Sequence, residues 1–246
     1  MRTYAIGDIH GQLGLLRDAH ERIAADRAAC DDETAPVIHL GDLCDRGPDT
    51  RGVIELLLEG IGAGAPWIVL KGNHDRMFQG FLETPDFQDP RLRPELGWLD
   101  PRLGGTETLR SYGVEDADQR ASREVWDEAQ GAVPEAHLRF LQGLPLMHVT
   151  DEIIYVHAGI RPGVPLDRQV EDDLVWIRDG FLNDNRSHGR LVVHGHTVVE
   201  RATHFGNRVD LDTGAGYGDP MTAAVIEGRD VYVLEEDGRR KLRPPY

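Results

Sequence analysis

Short apolar runs that end in polar clusters constrain the fold of this chain most strongly. Each run is long enough for one buried strand, and each is closely followed by glycine with aspartate, asparagine or histidine. In the first third of the chain these runs are residues 4–6, 37–40 and 68–70. The segments between them have apolar residues at helical spacing, first at Leu13, Leu16, Ala19 and Ile23 and then at Val53, Ile54, Leu57 and Leu58. Strands that alternate with helices predict βαβ units and a largely parallel sheet.

The second half of the chain predicts further strands after an irregular middle section. Between about residues 84 and 134, prolines, arginines and acidic residues dominate, and we interpret this section as a partly helical insertion or cap. Beyond it the pattern predicts helices at 133–144 and 170–182, strands at 153–156 and 191–193, and antiparallel strands at 203–211, 221–226 and 231–234. We therefore expect an α/β (α+β) fold in which two mixed β-sheets pack as a sandwich flanked by helices, with residues 1–246 forming a single domain.

Composition argues against two classes of partner, nucleic acids and membranes. The 246 residues include 27 Lys and Arg against 43 Asp and Glu, a formal charge of −16, so we expect no nucleic-acid partner. No apolar stretch approaches the roughly 18–20 residues that a membrane helix needs, so we expect no membrane partner. The two cysteines, Cys30 and Cys44, form no CxxC pair, and the first residues carry no secretory signal pattern. These features predict a cytoplasmic protein.

Five polar clusters stand where predicted strands end. In order they are residues 7–11 (GDIHG), 41–47 (GDLCDRG), 72–75 (GNHD), 157–159 (HAG) and 194–197 (HGHT). Ligands of open α/β sheets collect outside the carboxyl ends of the strands, so we expect the clusters to converge. Carboxylate, imidazole and amide groups suit divalent metals such as Mn, Fe or Zn. Asp8 and His10 stand two apart on backbone predicted to be extended, and we expect both to point to the same face.

The order and spacing of these clusters resemble the signature of the phosphoprotein phosphatase family, within the calcineurin-like metallophosphoesterases. They are similar to the compact bacterial and phage-type serine/threonine phosphatases, from Met1 to about Leu234, and most specifically in residues 42–47 and 72–75. The resemblance implies two divalent ions, manganese first with iron or zinc as alternatives, and a hydroxide shared by both ions that attacks phosphorus directly and in line. The implied ligands are Asp8, His10 and Asp42 for the first ion, and Asp42, Asn73, His157 and His196 for the second, with Asp42 bridging.

The same resemblance implies the groups that act on the substrate. His74 would be the general acid that protonates the leaving alkoxide, and Asp45 would orient its ring. Arg46 and Arg178 would clamp the phosphoryl oxygens, for which bidentate donors are well suited. An alternative for Arg178 is a position on an amphipathic helix, where the stem of the side chain lies along the apolar surface and the guanidinium stays in water.

Three nearby residues have expected supporting roles. His194 lies two residues before His196, and we interpret it as packing within the strand or as support for a ligand. Asp212 follows an apolar strand, and we consider it a hydrogen-bond partner of a ligand histidine. Cys44 stands where relatives commonly carry valine, and we interpret it as a packing residue.

The predicted function is hydrolysis of phosphomonoesters, with phosphorylated serine and threonine of a protein or peptide as the leading substrates. The alternative is a diadenosine tetraphosphate hydrolase, which shares the metal ligands and would have a nucleotide as its substrate. Members of that group tend to carry alanine at the Asp45 position, so Asp45 favours the phosphatase. A non-catalytic scaffold would have lost ligands, and none is lost here. Substrate choice is expected to depend on residues 84–134.

Overall fold

The computed structural model describes residues 1–245, which form two sheets and flanking helices. The strands are β1 Arg2–Ile6, β2 Val37–His39, β3 Trp67–Val69, β4 Met147–Val149, β5 Ile153–Val156, β6 Leu191–His194, β7 Thr203–His204, β8 Arg208–Asp210, β9 Ala223–Glu227, β10 Asp230–Glu235 and β11 Gly238–Leu242. The α-helices are α1 Leu13–Cys30, α2 Thr50–Gly62, α3 Asn73–Glu83, α4 Gly105–Ser111, α5 Ser122–Ala132, α6 Glu135–Gly143 and α7 Glu171–Trp176. Within the described residues, no helix has both the length and the apolar character to cross a membrane.

Both sheets are mixed, which confirms the expected fold class. The first sheet has the order β11-β10-β9-β1-β2-β3, and the second has the order β4-β5-β6-β8-β7. Strands β1, β2 and β3 run parallel, as do β5, β6 and β8. The remaining pairs are antiparallel. The carboxyl ends of β1, β2 and β3 therefore meet at one edge, where the first three polar clusters follow.

Strands buried on both faces explain the uninterrupted apolar runs of the sequence. In β1, Ala5 packs with Ile38 and with Tyr155 of the second sheet, in the core between the sheets. Tyr4 and Ile6 point to the opposite face and pack with residues of α1 and α2. β1 thus contributes to two cores, and its register is fixed because a shift of one residue would exchange the two faces.

Residues 84–134 contain the helices α4 and α5. Their apolar side chains do not form a separate core. Trp98, Leu109, Tyr112 and Val125 are buried in the same cluster as the side chains of α1 and α2. This section therefore packs in the core on the helical face of the first sheet.

Two predicted elements are wrong in extent. The helix predicted at 170–182 ends at Trp176, because Ile177 adopts an extended backbone with ψ 135°. The strand predicted at 203–211 is two short strands, β7 and β8, joined by a tight turn in which Gly206 has φ 95°. Glycine suits this turn because a side chain would strain the left-handed backbone. β8 also pairs in parallel with β6, so it is antiparallel on one side only.

Three elements are absent from the sequence prediction: α3, β4 and β11. β11 has the sequence GRRKL, and its charged side chains hide the strand pattern. They pair with acidic residues instead, Arg239 with Asp26 and Lys241 with Asp230. Charged side chains on an edge strand are a common protection against strand pairing with other chains.

Candidate metal centre

The polar clusters converge on one edge of the two sheets, and several of their residues have left-handed backbone. Within the described residues seven non-glycine residues have positive φ, and five of them belong to the clusters: His10, Asp42, Asp45, Arg46 and His196. Left-handed backbone at non-glycine residues is costly and is concentrated at functional sites in proteins. The expectation that Asp8 and His10 share extended backbone is wrong, because β1 ends at Ile6 and His10 has φ 47°.

The carboxylate of Asp42 lies between two imidazoles. Its Oδ2 is 3.5 Å from His10 Nε2, and its Oδ1 is 3.4 Å from His157 Nε2. Oδ1 also accepts a hydrogen bond from the backbone N–H of His74, at 2.9 Å. The carboxylate is buried, at 2% exposure. Its two oxygens are thus directed to two different groups of potential ligands.

The ring nitrogens of these histidines are arranged to bind cations. In His157, Nδ1 is 2.9 Å from the carbonyl oxygen of Leu40, so Nδ1–H donates there, and Nε2 is 2.9 Å from Asn73 Oδ1. Burial lowers the pKa of His157, which favours a neutral ring with an unprotonated Nε2. The Nε2 lone pair then faces amide and carboxylate oxygens, which repel it because all of these atoms are electron-rich. A metal cation bound to all of them would remove this repulsion.

His10 and His196 also have one ring nitrogen that is available to bind a cation. His10 Nδ1 lies 2.8 Å from the carbonyl oxygen of Cys44, which leaves Nε2 as the nitrogen that faces Asp42. His196 Nε2 is buried and has no hydrogen-bond partner within the described residues. Burial lowers the pKa of both rings, so both offer neutral lone pairs. These residues fit a divalent metal centre in burial, protonation and chemistry.

Two groups of side chains bring their ligand atoms within 4.8 Å of one another: His10 with Asp42 and His74, and Asp42 with His157 and His196. Asp8 is buried beside them, but it belongs to neither group. Its carboxylate oxygens accept the backbone N–H of His196, at 3.0 and 3.2 Å, and one of them lies 3.9 Å from His157 Nδ1. Burial and the nearby Asp212 raise the pKa of Asp8, a sign of crowded negative charge that a cation would relieve.

His74 lies beside this centre and is paired with Asp45. His74 Nδ1 is 2.6 Å from Asp45 Oδ2, and both side chains are buried. Arg46 directs Nη1 to His10 Nε2, at 2.6 Å, and Nη2 to His74 Nε2, at 3.0 Å. The arginine therefore lies at the face where both rings present nitrogen.

Arg178 follows the end of α7 and is not part of an amphipathic helix, so the alternative interpretation of this residue is wrong. Its Nη2 donates to the carbonyl oxygen of His196, at 3.2 Å. With Arg46 it lines a cavity of about 390 Å³ over the side chains predicted to be metal ligands. The other residues around this cavity are Asp42, Asn73, His74, Leu92, Leu103, Trp176, His196, Thr197, Val198, Asp212 and Tyr217.

The three supporting residues differ from one another. His194 packs edge-on against Phe181, and its Nε2 faces Arg208, so its contacts are those of a packing residue. The Asp212 side chain accepts the N–H of Gly214, and within the described residues no histidine nitrogen bonds to it, so the expected histidine contact is wrong. Cys44 is buried in the apolar core, in agreement with packing.

Sequence reasoning missed several contacts of the site. Trp98 and Thr108 hydrogen-bond the Asp45 carboxylate, and the ring of Tyr217 lies under the Arg46 guanidinium at 4.7 Å. Trp176 forms part of the cavity wall. None of these residues carries a local pattern that distinguishes it from an ordinary core or surface residue.

The chain is similar to known proteins over most of its length. The sequence profile of the calcineurin-like phosphoesterase family matches residues 1–217. A serine/threonine-protein phosphatase 1 of Salmonella typhimurium is 28% identical, over 92% of each chain. A bis(5'-nucleosyl)-tetraphosphatase of Bacillus thuringiensis is 23% identical, over 91% of this chain and 89% of its own.

Solved structures show the same fold. The crystal structure of a cold-active protein-tyrosine phosphatase from a Shewanella species covers 98% of this chain and 80% of its own, with TM-score 0.60 and 16% identity. The profile match covers most of the chain and includes every predicted metal ligand. This chain therefore belongs to the calcineurin-like phosphoesterase family and is a metallophosphoesterase.

Proposed function

We propose that this enzyme hydrolyses phosphomonoesters of serine and threonine in proteins, with two divalent ions held on either side of Asp42. The proposal rests on one observation above the others: the two Asp42 oxygens are directed separately, Oδ2 to His10 Nε2 and Oδ1 to His157 Nε2. A carboxylate can divide its oxygens between two ions in this way.

In this proposal Asp8, His10 and Asp42 would hold the first ion, and Asp42, Asn73, His157 and His196 would hold the second. Oxygen and imidazole ligands without thiolate favour manganese, and iron and zinc also accept this set. When bound, such ions lower the pKa of coordinated water and neutralise charge on phosphate oxygens. Asp8 bonds the His196 backbone, so it also supports the loop that presents a ligand of the second ion.

His74, Asp45 and the two arginines act on the substrate itself. Arg46 and Arg178 line the cavity and bind the phosphoryl oxygens, where guanidinium groups stabilise the added charge of the transition state. The Asp45 carboxylate holds His74 through Nδ1, so Nε2 is the atom that donates a proton to the leaving oxygen once Arg46, which contacts Nε2 in the free site, turns to the phosphoryl oxygens. The alkoxide of serine or threonine is a strong base, and its departure depends on this proton.

The second candidate is hydrolysis of diadenosine tetraphosphate, supported by the Bacillus relatives named for that activity. The leaving group of an anhydride is a phosphate, a much weaker base than an alkoxide, so such an enzyme has less need of a proton donor. The buried His74–Asp45 pair therefore favours the monoesterase. Leu92 and Leu103, from the section at 84–134, form part of the cavity, in keeping with a role of this insertion in substrate choice.

The test is the ratio of kcat/KM for a phosphoserine or phosphothreonine peptide to that for diadenosine tetraphosphate, measured on the manganese-loaded enzyme at one pH. We expect the peptide to be preferred by at least about tenfold, a difference of about 1.4 kcal/mol in transition-state binding. A tenfold preference for the dinucleotide would overturn the protein-phosphatase proposal, but it would not contradict the proposed metal centre.

A further inference from the structure

The Asp45 carboxylate is held by more than His74. It is fully buried, and three side chains donate hydrogen bonds to it. At Oδ2 it accepts from His74 Nδ1, at 2.6 Å, and from Trp98 Nε1, at 2.9 Å. At Oδ1 it accepts from Thr108 Oγ1, at 2.8 Å. Two of its three side-chain donors thus come from the insertion at 84–134.

The indole of Trp98 has little freedom to move. It is 4% exposed and stacks on Phe78, with ring centroids 5.3 Å apart, and Phe78 lies on α3, the helix that carries His74. Behind it, a Cβ on Gly105 would lie 2.6 Å from the indole. Glycine at this position therefore allows the α4 backbone to close on Trp98, and the indole N–H stays directed at Asp45.

Thr108 and its neighbours hold the backbone of the same segment. Thr108 Oγ1 accepts the Asp45 N–H, at 2.7 Å, while its hydroxyl hydrogen goes to Oδ1. The carbonyl oxygen of Gly104 accepts the Arg46 N–H, at 3.1 Å. Asp45 and Arg46 both have left-handed φ, 71° and 68°, a conformation that needs such support.

We infer that Trp98 and Thr108 are positioning residues for proton donation: they fix the Asp45 carboxylate so that only Oδ2 faces His74 Nδ1. The inference rests on the proposed role of His74 as general acid. A carboxylate whose other acceptor sites are filled by hydrogen-bond donors is held in one orientation and does not rotate. The His74 ring then keeps Nδ1–H toward Asp45 and Nε2 toward the leaving oxygen. The insertion is thus part of the acid's support as well as a wall of the cavity.

The main test is Trp98→Phe, assayed on the manganese-loaded enzyme with phenyl phosphate and with p-nitrophenyl phosphate. Phenolate is the more basic leaving group and depends more on the proton from His74. We expect kcat to fall about tenfold for phenyl phosphate and less than about threefold for p-nitrophenyl phosphate, with KM unchanged for both. Phenylalanine retains the ring that stacks on Phe78.

The matched control is Trp126→Phe. Trp126 also lies in the insertion, and its Nε1 donates to the carbonyl oxygen of Leu82, at 3.1 Å, with no bond to Asp45. The fall in kcat of Trp126→Phe should be small and equal for the two substrates. If Trp98→Phe also lowers kcat equally for both substrates, Trp98 is merely structural and the inference fails for it.

Thr108 gives a second, independent readout. Thr108→Val removes the hydroxyl and should show the same substrate-dependent loss, while Thr108→Ser keeps the hydroxyl and should restore kcat to within about twofold. Failure of serine to restore the rate overturns the positioning role of Thr108. His74→Asn tests the premise of this inference separately. If that variant lowers kcat equally for both substrates, His74 is not the general acid. If kcat falls more for phenyl phosphate, the role of His74 holds, and the Trp98 and Thr108 variants decide the inference by their own results.

Discussion

Asp42→Asn is expected to lower kcat/KM by at least about 10³-fold, because an amide cannot bring negative oxygens to two ions at once. Several kcal/mol of charge stabilisation are lost with the bridging carboxylate. The fold should persist, since asparagine retains an oxygen that accepts the N–H of His74. The measurements are kcat/KM with p-nitrophenyl phosphate, bound metal per chain and Tm. Full activity in this variant would contradict the proposed centre.

A matched control for this variant is Asp26→Asn. Asp26 is also an ion-paired carboxylate, but its partners are Arg239 and Tyr4, and none of these residues lines the cavity. Activity should stay within about twofold of the wild type, while Tm falls because the Arg239 pair is weakened. A large loss of activity in Asp26→Asn would mean that the loss in Asp42→Asn reflects general damage to the fold and not the loss of the bridging carboxylate.

His74→Asn is expected to slow hydrolysis of a phosphoserine peptide by about 10²–10⁴-fold, the usual contribution of a general acid. With p-nitrophenyl phosphate the loss should be about tenfold or less, because p-nitrophenolate leaves without a proton. Asparagine keeps a polar group at the site and takes no proton from solvent at neutral pH. The ratio of the two losses is the quantity to measure, since it cancels any change common to both substrates.

His137→Asn controls for the loss of a buried histidine as such. His137 is 4% exposed and bonds the hydroxyl of Tyr112, at 2.8 Å, outside the cavity. Its replacement should lower Tm and leave the ratio between the two substrates unchanged. A ratio that changes equally in both variants would argue against proton donation by His74.

The two sheets and the place of the site could be predicted because both depend on local patterns. The runs that became β1, β2 and β3 are apolar on both faces, and Asp42 and Asn73 follow them closely in the sequence. Parallel strands then bring these residues to one edge. The end of α7 was not predictable, because Ile177 and Leu182 continue an apolar spacing that the folded chain does not use as a helix.

Other features of the site depend on long-range packing. Trp98 and Thr108 are more than fifty residues from Asp45 along the chain, and no local spacing links them. His10 and His196 reach the site on left-handed backbone, which the hydrogen bonds of the surrounding loops impose. The pattern therefore predicted residues that the fold brings together, but it gave a wrong reason for the direction of His10.

The most direct test of two metal ions at Asp42 is a crystal structure of the manganese-soaked protein with anomalous scattering at the manganese edge. We expect two anomalous peaks about 3.5–4 Å apart, one on each side of Asp42, with His10 beside the first and His157 and His196 beside the second. A single peak, or peaks that do not contact the Asp42 carboxylate, would contradict it.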